Sequence, residues 1–357
     1  IFFLYIFFTF LSSENYIVNI FWPIYMFLSF LFIYKFNNYE DKLVLTKLSV
    51  IIILSVSILF LISTFIEMYN KNYLHFYGIF REGISYAGNE SPPKPSGLSR
   101  LCLIIFTFFS LNYFLNYKYK KYYLLFLIFF FAIFTILFQS RTTSFLYFFI
   151  NLFFIIFYFR KYFYDKRLIL FAFILPIIMN MAYTHAISGK YILKIDNNII
   201  NIFSKSLVRD QPIWDKTMSD KEKIFRFSSG RFGDWEKSIK YIKKNPYKGN
   251  GAQFDRILLS GQSVHNSIIY SILSGGIYAG IALIIIYLYS IKMLINFYFK
   301  KDYYRHNNYV LDFCATTLII ISLRSVLETS FAIFSIDFLL YLISFLTLEA
   351  ASRRKIK

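Results

Sequence analysis

The sequence predicts an all-α membrane protein, built as a polytopic helical bundle with a large, partly helical outer loop. Long apolar runs recur along the chain, and its 357 residues are 57% hydrophobic and 22% aromatic. The net charge of +19 is concentrated between these runs, where it faces anionic headgroups or anionic ligands. This composition excludes a soluble globular domain. We expect a membrane, and no nucleic acid, as the partner of the charged loops.

The apolar runs set the number of predicted spans. Because a bilayer core is about 30 Å thick, a helix needs about 20 apolar residues to cross it, and the chain holds about ten such segments. The first is expected to be incomplete, since the chain begins with Ile inside an apolar run and lacks the basic start of a signal peptide. The predicted spans lie at about 1–11, 16–34, 43–66, 98–116, 122–138, 144–159, 168–185, 266–298, 310–324 and 331–348.

The spans divide the chain into three parts. Residues 1–185 are predicted to form the N-terminal transmembrane helices with a short outer loop at 67–97, residues 186–265 the large outer loop, and residues 266–357 the C-terminal transmembrane helices. The run at 266–298 is too long for one straight crossing. We expect Ser274-Gly275-Gly276 to separate a short outer helix from the crossing itself.

Orientation follows from the charge of the short loops. Short cytoplasmic loops carry an excess of Lys and Arg, whereas long loops cross the membrane largely regardless of charge. We therefore predict that both termini are cytoplasmic and that the two long loops lie outside. The short basic loops that carry this prediction are 35–42, 117–121, 160–167, 299–309 and 351–357.

Metal and disulfide chemistry have little support in the sequence. Cys102 and Cys314 both lie inside apolar runs, which argues against a disulfide framework or a thiolate site. Asp234 and Glu236 form the closest acidic pair of interest, but residues two apart on a helix point to different faces. We expect no metal and no cofactor.

Four basic residues fall at or near the predicted outer ends of helices: Arg100, Arg141, His265 and Arg324. Any one arginine could reach the headgroups with its own side chain. Three arginines in separate spans, all on the side where short joints should lack them, favour a ligand that offsets their cost. For Arg324 an internal pair with Glu328 or Asp337 explains the charge without a substrate.

The outer loop contributes two further arginines, Arg231 and Arg256. Between them, residues 233–245 are predicted to form an amphipathic helix that Pro246 ends. Lysines occupy one side of this helix, so an alternative is a helix that lies flat on a membrane surface or caps a bundle. The predicted apolar face carries Trp235, Ile239 and Ile242, and the basic face Lys237, Lys240, Lys243 and Lys244.

His265 stands where the outer loop enters an apolar helix. A lone histidine at a helix start is commonly a cap or an interface residue. Nearby positive charge disfavours an imidazolium, however, so we expect a neutral His265 that can act as a base or a hydrogen-bond acceptor.

At these residues the sequence resembles the bacterial O-antigen ligase and O-antigen polymerase family. The match follows the order of short motifs and the position of the large outer loop. Ser-Arg-Thr stands here where the family usually has Ser-Arg-Gly, and the family usually has about twelve spans. The matching pieces are Ser140-Arg141-Thr142-Thr143, Ser229-Gly230-Arg231 with Trp235, Asn245-Pro246 with Gly249-Asn250-Gly251, His265-Asn266 with Gly275-Gly276 and Gly280, and Arg324 with Glu328.

The resemblance implies a GT-C-like glycosyltransferase in the bacterial inner membrane, with its site facing the periplasm. It implies a donor glycan on undecaprenyl pyrophosphate and inverting transfer to a hydroxyl of lipid A-core, or of a second lipid-linked glycan. Arginine forks suit such a donor because they bind phosphates in bidentate fashion. A neutral histidine suits the acceptor because the attacking hydroxyl must lose its proton.

These expectations assign roles residue by residue. His265 and Arg231 are the predicted catalytic residues, with Glu328 and Asn266 in support. The residues predicted to bind the pyrophosphate are Arg141, Arg231 and Arg324, with Arg256 and Arg100 in second place.

Rival functions stay open at this stage. A ligase and a repeat polymerase share the donor chemistry and differ in the acceptor, and the His265-Asn266 region favours a ligase. A protein-glycosylating oligosaccharyltransferase shares the same motifs. A flippase or permease for the same lipid-linked sugars would need polar residues at mid-depth and alternating access.

Overall fold

The computed structural model describes ten stretches of the chain, and all the regular secondary structure within them is helical, with no strand. The all-helical prediction is thus confirmed for the described residues. Most of both long outer loops lies outside them. The described stretches are 1–12, 20–35, 38–70, 95–115, 122–138, 140–158, 166–180, 231–299, 308–333 and 335–354.

The first seven helices occupy the N-terminal half. The seventh contains a π-helical turn at Leu170–Ile174. These helices are α1 (Phe2–Leu11), α2 (Phe21–Lys35), α3 (Tyr39–Asn70), α4 (Pro95–Leu115), α5 (Tyr122–Leu137), α6 (Arg141–Phe157) and α7 (166–180).

Five more helices follow residue 230. Two are short and polar, and three are long. They are α8 (Arg231–Lys244), α9 (Phe254–Leu258), α10 (Ser267–Phe299), α11 (Tyr309–Leu327) and α12 (Ile336–Arg354).

Four of these helices are long and apolar enough to cross a membrane, which supports a membrane protein. Others are apolar but shorter, between 10 and 17 residues. The number of spans therefore stays a prediction. The four long candidates are Tyr39–Ser63, Gly97–Leu115, Ser267–Phe299 and Tyr309–Leu327.

The chain forms two compact units. One comprises Ile1–Lys47 and Asp220–Lys357, and the other comprises Leu48–Ser219. We call them the composite unit and the central unit. The composite unit unites the first helices with the last ones, so residues far apart in sequence can meet within it.

In the composite unit, α1 packs along α10 and against α12. Phe2 meets the ring of Phe345 edge-on, with centroids 5.0 Å apart. The hydroxyl of Tyr5, which is fully buried, donates to the carbonyl of Phe331 at 2.7 Å. A buried hydroxyl needs such a partner in an apolar interior, and this bond ties α1 to the segment between α11 and α12.

In the central unit, aromatic packing joins α4, α5 and α6. Phe106 packs on Tyr147, and the Tyr147 hydroxyl donates to the carbonyl of Ala172. Ser99 donates to the carbonyl of Thr135 at 2.6 Å. A hydroxyl that donates to a backbone carbonyl has its hydrogen-bond partner without water, as an apolar interior requires.

Candidate functional site

Helix α10 is broken near its start. Gly275 (φ −126°, ψ 15°) and Gly276 (φ 69°, ψ −175°) are both non-helical. The predicted break at Ser274-Gly275-Gly276 is therefore confirmed, and the assignment of its two sides to an outer helix and a crossing stays a prediction. A Cβ atom at Gly276 would lie 2.3 Å from the carbonyl oxygen of Tyr247, and its backbone region is open almost only to glycine.

The loop that follows α8 docks into this break through backbone hydrogen bonds. The N–H of Gly251 donates to Ser274 at 2.8 Å, and the N–H of Ile277 donates to Pro246 at 2.9 Å. Gly249 permits the close approach, because a Cβ there would lie 2.3 Å from the Ser274 oxygen. The loop is thereby fixed on α10, and so is the chain that leads on to α9.

Helix α8 turns a narrower face inward than the sequence predicts. Trp235 and Ile242 are partly buried, as predicted, but Ser238 is fully buried. Ile239 is 42% exposed. Successive residues are 100° apart around a helix, so Ile239 lies about 70° from the centre of a face formed by Trp235 and Ser238, at the edge of that face.

A small hydrophobic core lies beneath α8. Leu259, Val264 and Tyr270 are buried within it, and Trp235 packs against them. The indole N–H of Trp235 donates to the carbonyl of Val264 at 2.8 Å. This bond joins α8 to the residue that precedes His265.

His265 lies two residues before α10 and has a left-handed backbone, with φ 53°. Asn266 then caps the helix. Its side-chain oxygen accepts from the N–H groups of Ile268 at 3.0 Å and Ile269 at 2.9 Å. Asparagine is a preferred cap because it satisfies amides that have no partner in the first turn. The cap fixes where α10 begins, and hence where His265 stands.

Glu328, at the end of α11, gathers three cationic or titratable side chains. Its Oε1 accepts from Nη2 of Arg231 at 2.6 Å, and its Oε2 lies 3.0 Å from Nδ1 of His265. Nη2 of Arg324 lies 4.0 Å from Oε2. The Glu328 side chain is 10% exposed, that of Arg231 21% and that of His265 28%. We call these four residues the Glu328 cluster.

The surroundings of Glu328 keep its carboxylate ionised. Burial raises its pKa, but the hydrogen bond from His265 and the charges of Arg324 and Arg231 outweigh burial and lower the pKa to about 2. The cluster therefore holds a permanent negative charge at its centre.

Arg324 is held more deeply than Arg231. Its Nη1 lies 2.6 Å from Oδ2 of Asp337 and 2.9 Å from the hydroxyl of Ser330, and the residue is 5% exposed. Of the two acids predicted as its partners, Asp337 makes the closer contact. This geometry fits the internal-pair alternative for Arg324.

Serine and asparagine side chains at the start of α10 support the segment around Glu328. Ser267 donates to the carbonyl of Glu328 at 3.1 Å and accepts from the N–H of Phe331 at 3.2 Å. Asn266 donates to the carbonyl of Val326 at 3.0 Å. Asn266, a predicted supporting residue, thus both caps α10 and joins it to the end of α11.

The other predicted arginines are Arg256, Arg100 and Arg141. Arg256 is exposed on α9. Arg100 on α4 and Arg141 at the start of α6 belong to the central unit. The side chain of Arg141 lies outside the described residues, as do Ser229 and Gly230 of the matching motif.

No protein-family model matches this chain, and no curated protein or solved structure matches it.

The Glu328 cluster brings together an imidazole, an ionised carboxylate and two guanidinium groups, of which that of Arg231 is partly exposed. Because an ionised carboxylate only accepts hydrogen bonds, Nδ1 of His265 is the donor toward Glu328. Nε2 has no hydrogen-bond partner among the described residues. In the same part of the chain, no group of three or more His, Cys, Asp or Glu could hold a metal ion.

Sequence reasoning missed one residue here, Asp255, which is 2% exposed. Its Oδ2 accepts from the N–H of Val264 at 3.1 Å. A charged residue between Phe254 and Arg256 gives no signal of this role.

Proposed function

We propose that this protein is an integral-membrane glycosyltransferase, similar to an O-antigen ligase, that acts at the periplasmic face of a bacterial inner membrane. It moves a glycan from undecaprenyl pyrophosphate to an acceptor sugar hydroxyl, with inversion and without a metal. The observation that carries the proposal is the meeting of Arg231, His265 and Glu328. They come from three separate segments, and His265 and Glu328 lie at the ends of the long apolar helices α10 and α11.

The histidine–glutamate pair supports base catalysis. Glu328 receives Nδ1–H, so Nε2 of His265 can take the proton of the acceptor hydroxyl. The hydroxyl oxygen then bonds to the anomeric carbon of the donor. The bond from that carbon to the phosphate oxygen breaks, and undecaprenyl pyrophosphate leaves with the electron pair.

Exposure supports a division of labour between the two arginines. The leaving pyrophosphate gains charge in this step and needs positive groups more than it needs an acid. Arg231, with 21% of its side chain exposed, is the arginine we assign to the pyrophosphate. We assign to Arg324 the role of holding Glu328 in place, because the Arg324 side chain is 6% exposed and pairs with Asp337.

The charge balance of the cluster supports anion binding only in part. Arg231 and Arg324 are offset by Glu328 and Asp337. Binding a doubly charged pyrophosphate would therefore require further positively charged side chains. Arg256, in the same unit, is our proposed source, and the assignment of Arg141 and Arg100 to the pyrophosphate stays a prediction.

The test replaces His265 and Arg231 by Ala separately and measures transfer at matched protein levels. Removing a general base costs about 10²–10⁴-fold, and removing one charge-stabilising donor costs about 10²–10³-fold. Lys243→Ala is the matched control, because Lys243 is a basic residue on the same helix as Arg231 but is exposed. Near-normal transfer by both site variants would end the assignment.

The acceptor distinguishes the related functions. In a deletion strain, full-length polymer left on the carrier lipid indicates a ligase, and lipopolysaccharide with a single repeat indicates a polymerase. Full surface polysaccharide with unglycosylated target proteins indicates an oligosaccharyltransferase. Purified protein that moves labelled lipid-linked glycan across vesicles without joining sugars would instead identify a flippase. Charge that gathers at helix ends favours the transferase over the flippase.

A further inference from the structure

Both backbone polar groups of Val264 are held by side chains. Its N–H donates to Oδ2 of Asp255 at 3.1 Å, and its carbonyl accepts from the indole of Trp235 at 2.8 Å. Val264 itself is fully buried. The residue before His265 is therefore fixed from two directions, by α8 and by α9.

Asp255 is buried, and an ionised carboxylate in a buried position costs free energy. The residue is 2% exposed, and its Oδ1 has no hydrogen-bond partner among the described residues. Burial raises the pKa of Asp255, and the hydrogen bond from Val264 opposes that effect. A buried acid with one oxygen unsatisfied is expensive, so the bond made by the other oxygen is the evident use of this side chain.

The bond from Val264 to Asp255 matters because of the backbone conformation of the next residue, His265. A left-handed φ of 53° is uncommon for residues other than glycine, and such conformations persist when the surroundings enforce them. Asn266 fixes the chain after His265, and Val264 fixes it before. Between these two restraints the ring reaches Glu328, with 3.0 Å from Nδ1 to Oε2.

We propose that Asp255 and Trp235 are positioning residues that hold His265 in its left-handed conformation, with Nδ1 directed at Glu328. Neither contacts a reacting atom in our assignment. The catalytic consequence rests on the proposed function, in which His265 is the base. The structural consequence, a single fixed orientation of the imidazole, does not.

The kinetic test uses variants that remove one bond at a time. Asp255→Leu removes the acceptor, and Asp255→Asn keeps an oxygen of nearly the same shape. Trp235→Phe removes the indole N–H and keeps a ring to pack on Phe232, which meets Trp235 edge-on.

Misplacing a catalytic group by about 1 Å can cost about 10²-fold. We therefore expect kcat to fall by about 10²-fold in Asp255→Leu and about 10-fold in Trp235→Phe, with donor KM little changed. Asp255→Asn should stay within about 5-fold of wild type. Because a loss of folding also lowers the apparent kcat and leaves KM unchanged, kcat is calculated per folded molecule.

A second measurement is independent of activity. Histidine labelled with ¹⁵N in reconstituted protein gives ring resonances, and the His265 signals are those that disappear in His265→Ala. We expect them to shift or broaden in Asp255→Leu and Trp235→Phe and to persist in Asp255→Asn. If Asp255→Leu does not fold, Trp235→Phe carries the test.

The outcomes separate the two proposals. Unchanged His265 resonances in the folded variants would overturn the positioning role, whatever the activity. Altered resonances together with normal transfer by His265→Ala would preserve the positioning role and reject the proposed function.

Discussion

Helix α10 is held at two places by different kinds of interaction. At its break, the loop after α8 docks through backbone hydrogen bonds, and glycines allow the approach. At its start, His265 and the neighbouring helices meet around the buried charge of Glu328. The first contact depends on close packing and neutral hydrogen bonds, whereas the second depends on charge.

This difference separates what fixes the fold from what can do chemistry. Backbone bonds between close-packed segments do not titrate and leave no room for a ligand. The Glu328 cluster contains a titratable ring and partly exposed cations, so its state can change with proton or ligand. The docked loop fixes the connection from α8 to α9 on which that cluster depends.

The largest effect should come from breaking the docked loop. Gly276→Ala places a Cβ 2.3 Å from the Tyr247 oxygen, in a backbone region with φ 69°. Overpacking and backbone strain together should destabilise the protein by on the order of 4 kcal/mol. Thermal unfolding in detergent, followed by circular dichroism, measures this as a large fall in the midpoint.

Gly233→Ala is the matched control for that variant. Gly233 lies in α8, and a Cβ there would meet nothing within 4 Å. Alanine is the better helix former, so the midpoint should hold or rise by the equivalent of about 0.5–1 kcal/mol. A Gly276→Ala protein as stable as this control would contradict the docking geometry.

The stabilisation that Glu328 contributes to the folded protein should depend on pH, and the variant Glu328→Gln tests this. The pKa of Glu328 falls from 4.5 to about 2 on folding, which corresponds to about 3 kcal/mol. Because the folded pKa is the lower one, this stabilisation is complete above about pH 4.5 and is lost as pH falls through about 2.

The stability difference between wild type and Glu328→Gln should therefore be greatest near neutral pH and shrink in acid. The measurement is the unfolding midpoint of both proteins over that pH range. Glu236→Gln is the control, because Glu236 pairs with Lys240 on an exposed surface and such pairs contribute little. A difference that does not depend on pH would mean that Glu328 acts through its shape alone.

The smallest effect should come from an accessory bond beside the docked loop. The Tyr241 hydroxyl donates to Oδ1 of Asn250 at 3.2 Å, and Tyr241→Phe removes only that bond. A partly buried neutral hydrogen bond contributes about 0.5–1 kcal/mol. A midpoint shift as large as that of Gly276→Ala would place the loop's stability in its side chains rather than in its backbone.

Much of the helix pattern could be predicted from the sequence. Apolar runs predicted the positions of the long helices, because a helix that crosses a membrane needs a long, continuous apolar stretch. The break in α10 followed from a run too long for one crossing with two glycines inside it. The inward face of α8 was predicted only in part, since Ile239 is exposed and Ser238 is buried.

The Glu328 cluster could be predicted only as a set of candidates. Charges near helix ends singled out His265 and Arg324, and the outer loop added Arg231. Carboxylate partners, Glu328 and Asp337, were predicted for Arg324 alone. Asp337 pairs with Arg324, and Glu328 bonds to Arg231 and His265. The bond from Asp255 to Val264 was not foreseen, because it lies within a loop that has no periodic pattern.

The sequence by itself determined that this protein is helical and apolar, where its helices lie and where α10 breaks. These properties depend on the composition and spacing of neighbouring residues. Only the tertiary structure decided that Arg231, His265 and Glu328 would meet. Their meeting depends on segments 63 and 97 residues apart, and such contacts are selected by the packing of the whole unit rather than by local preference.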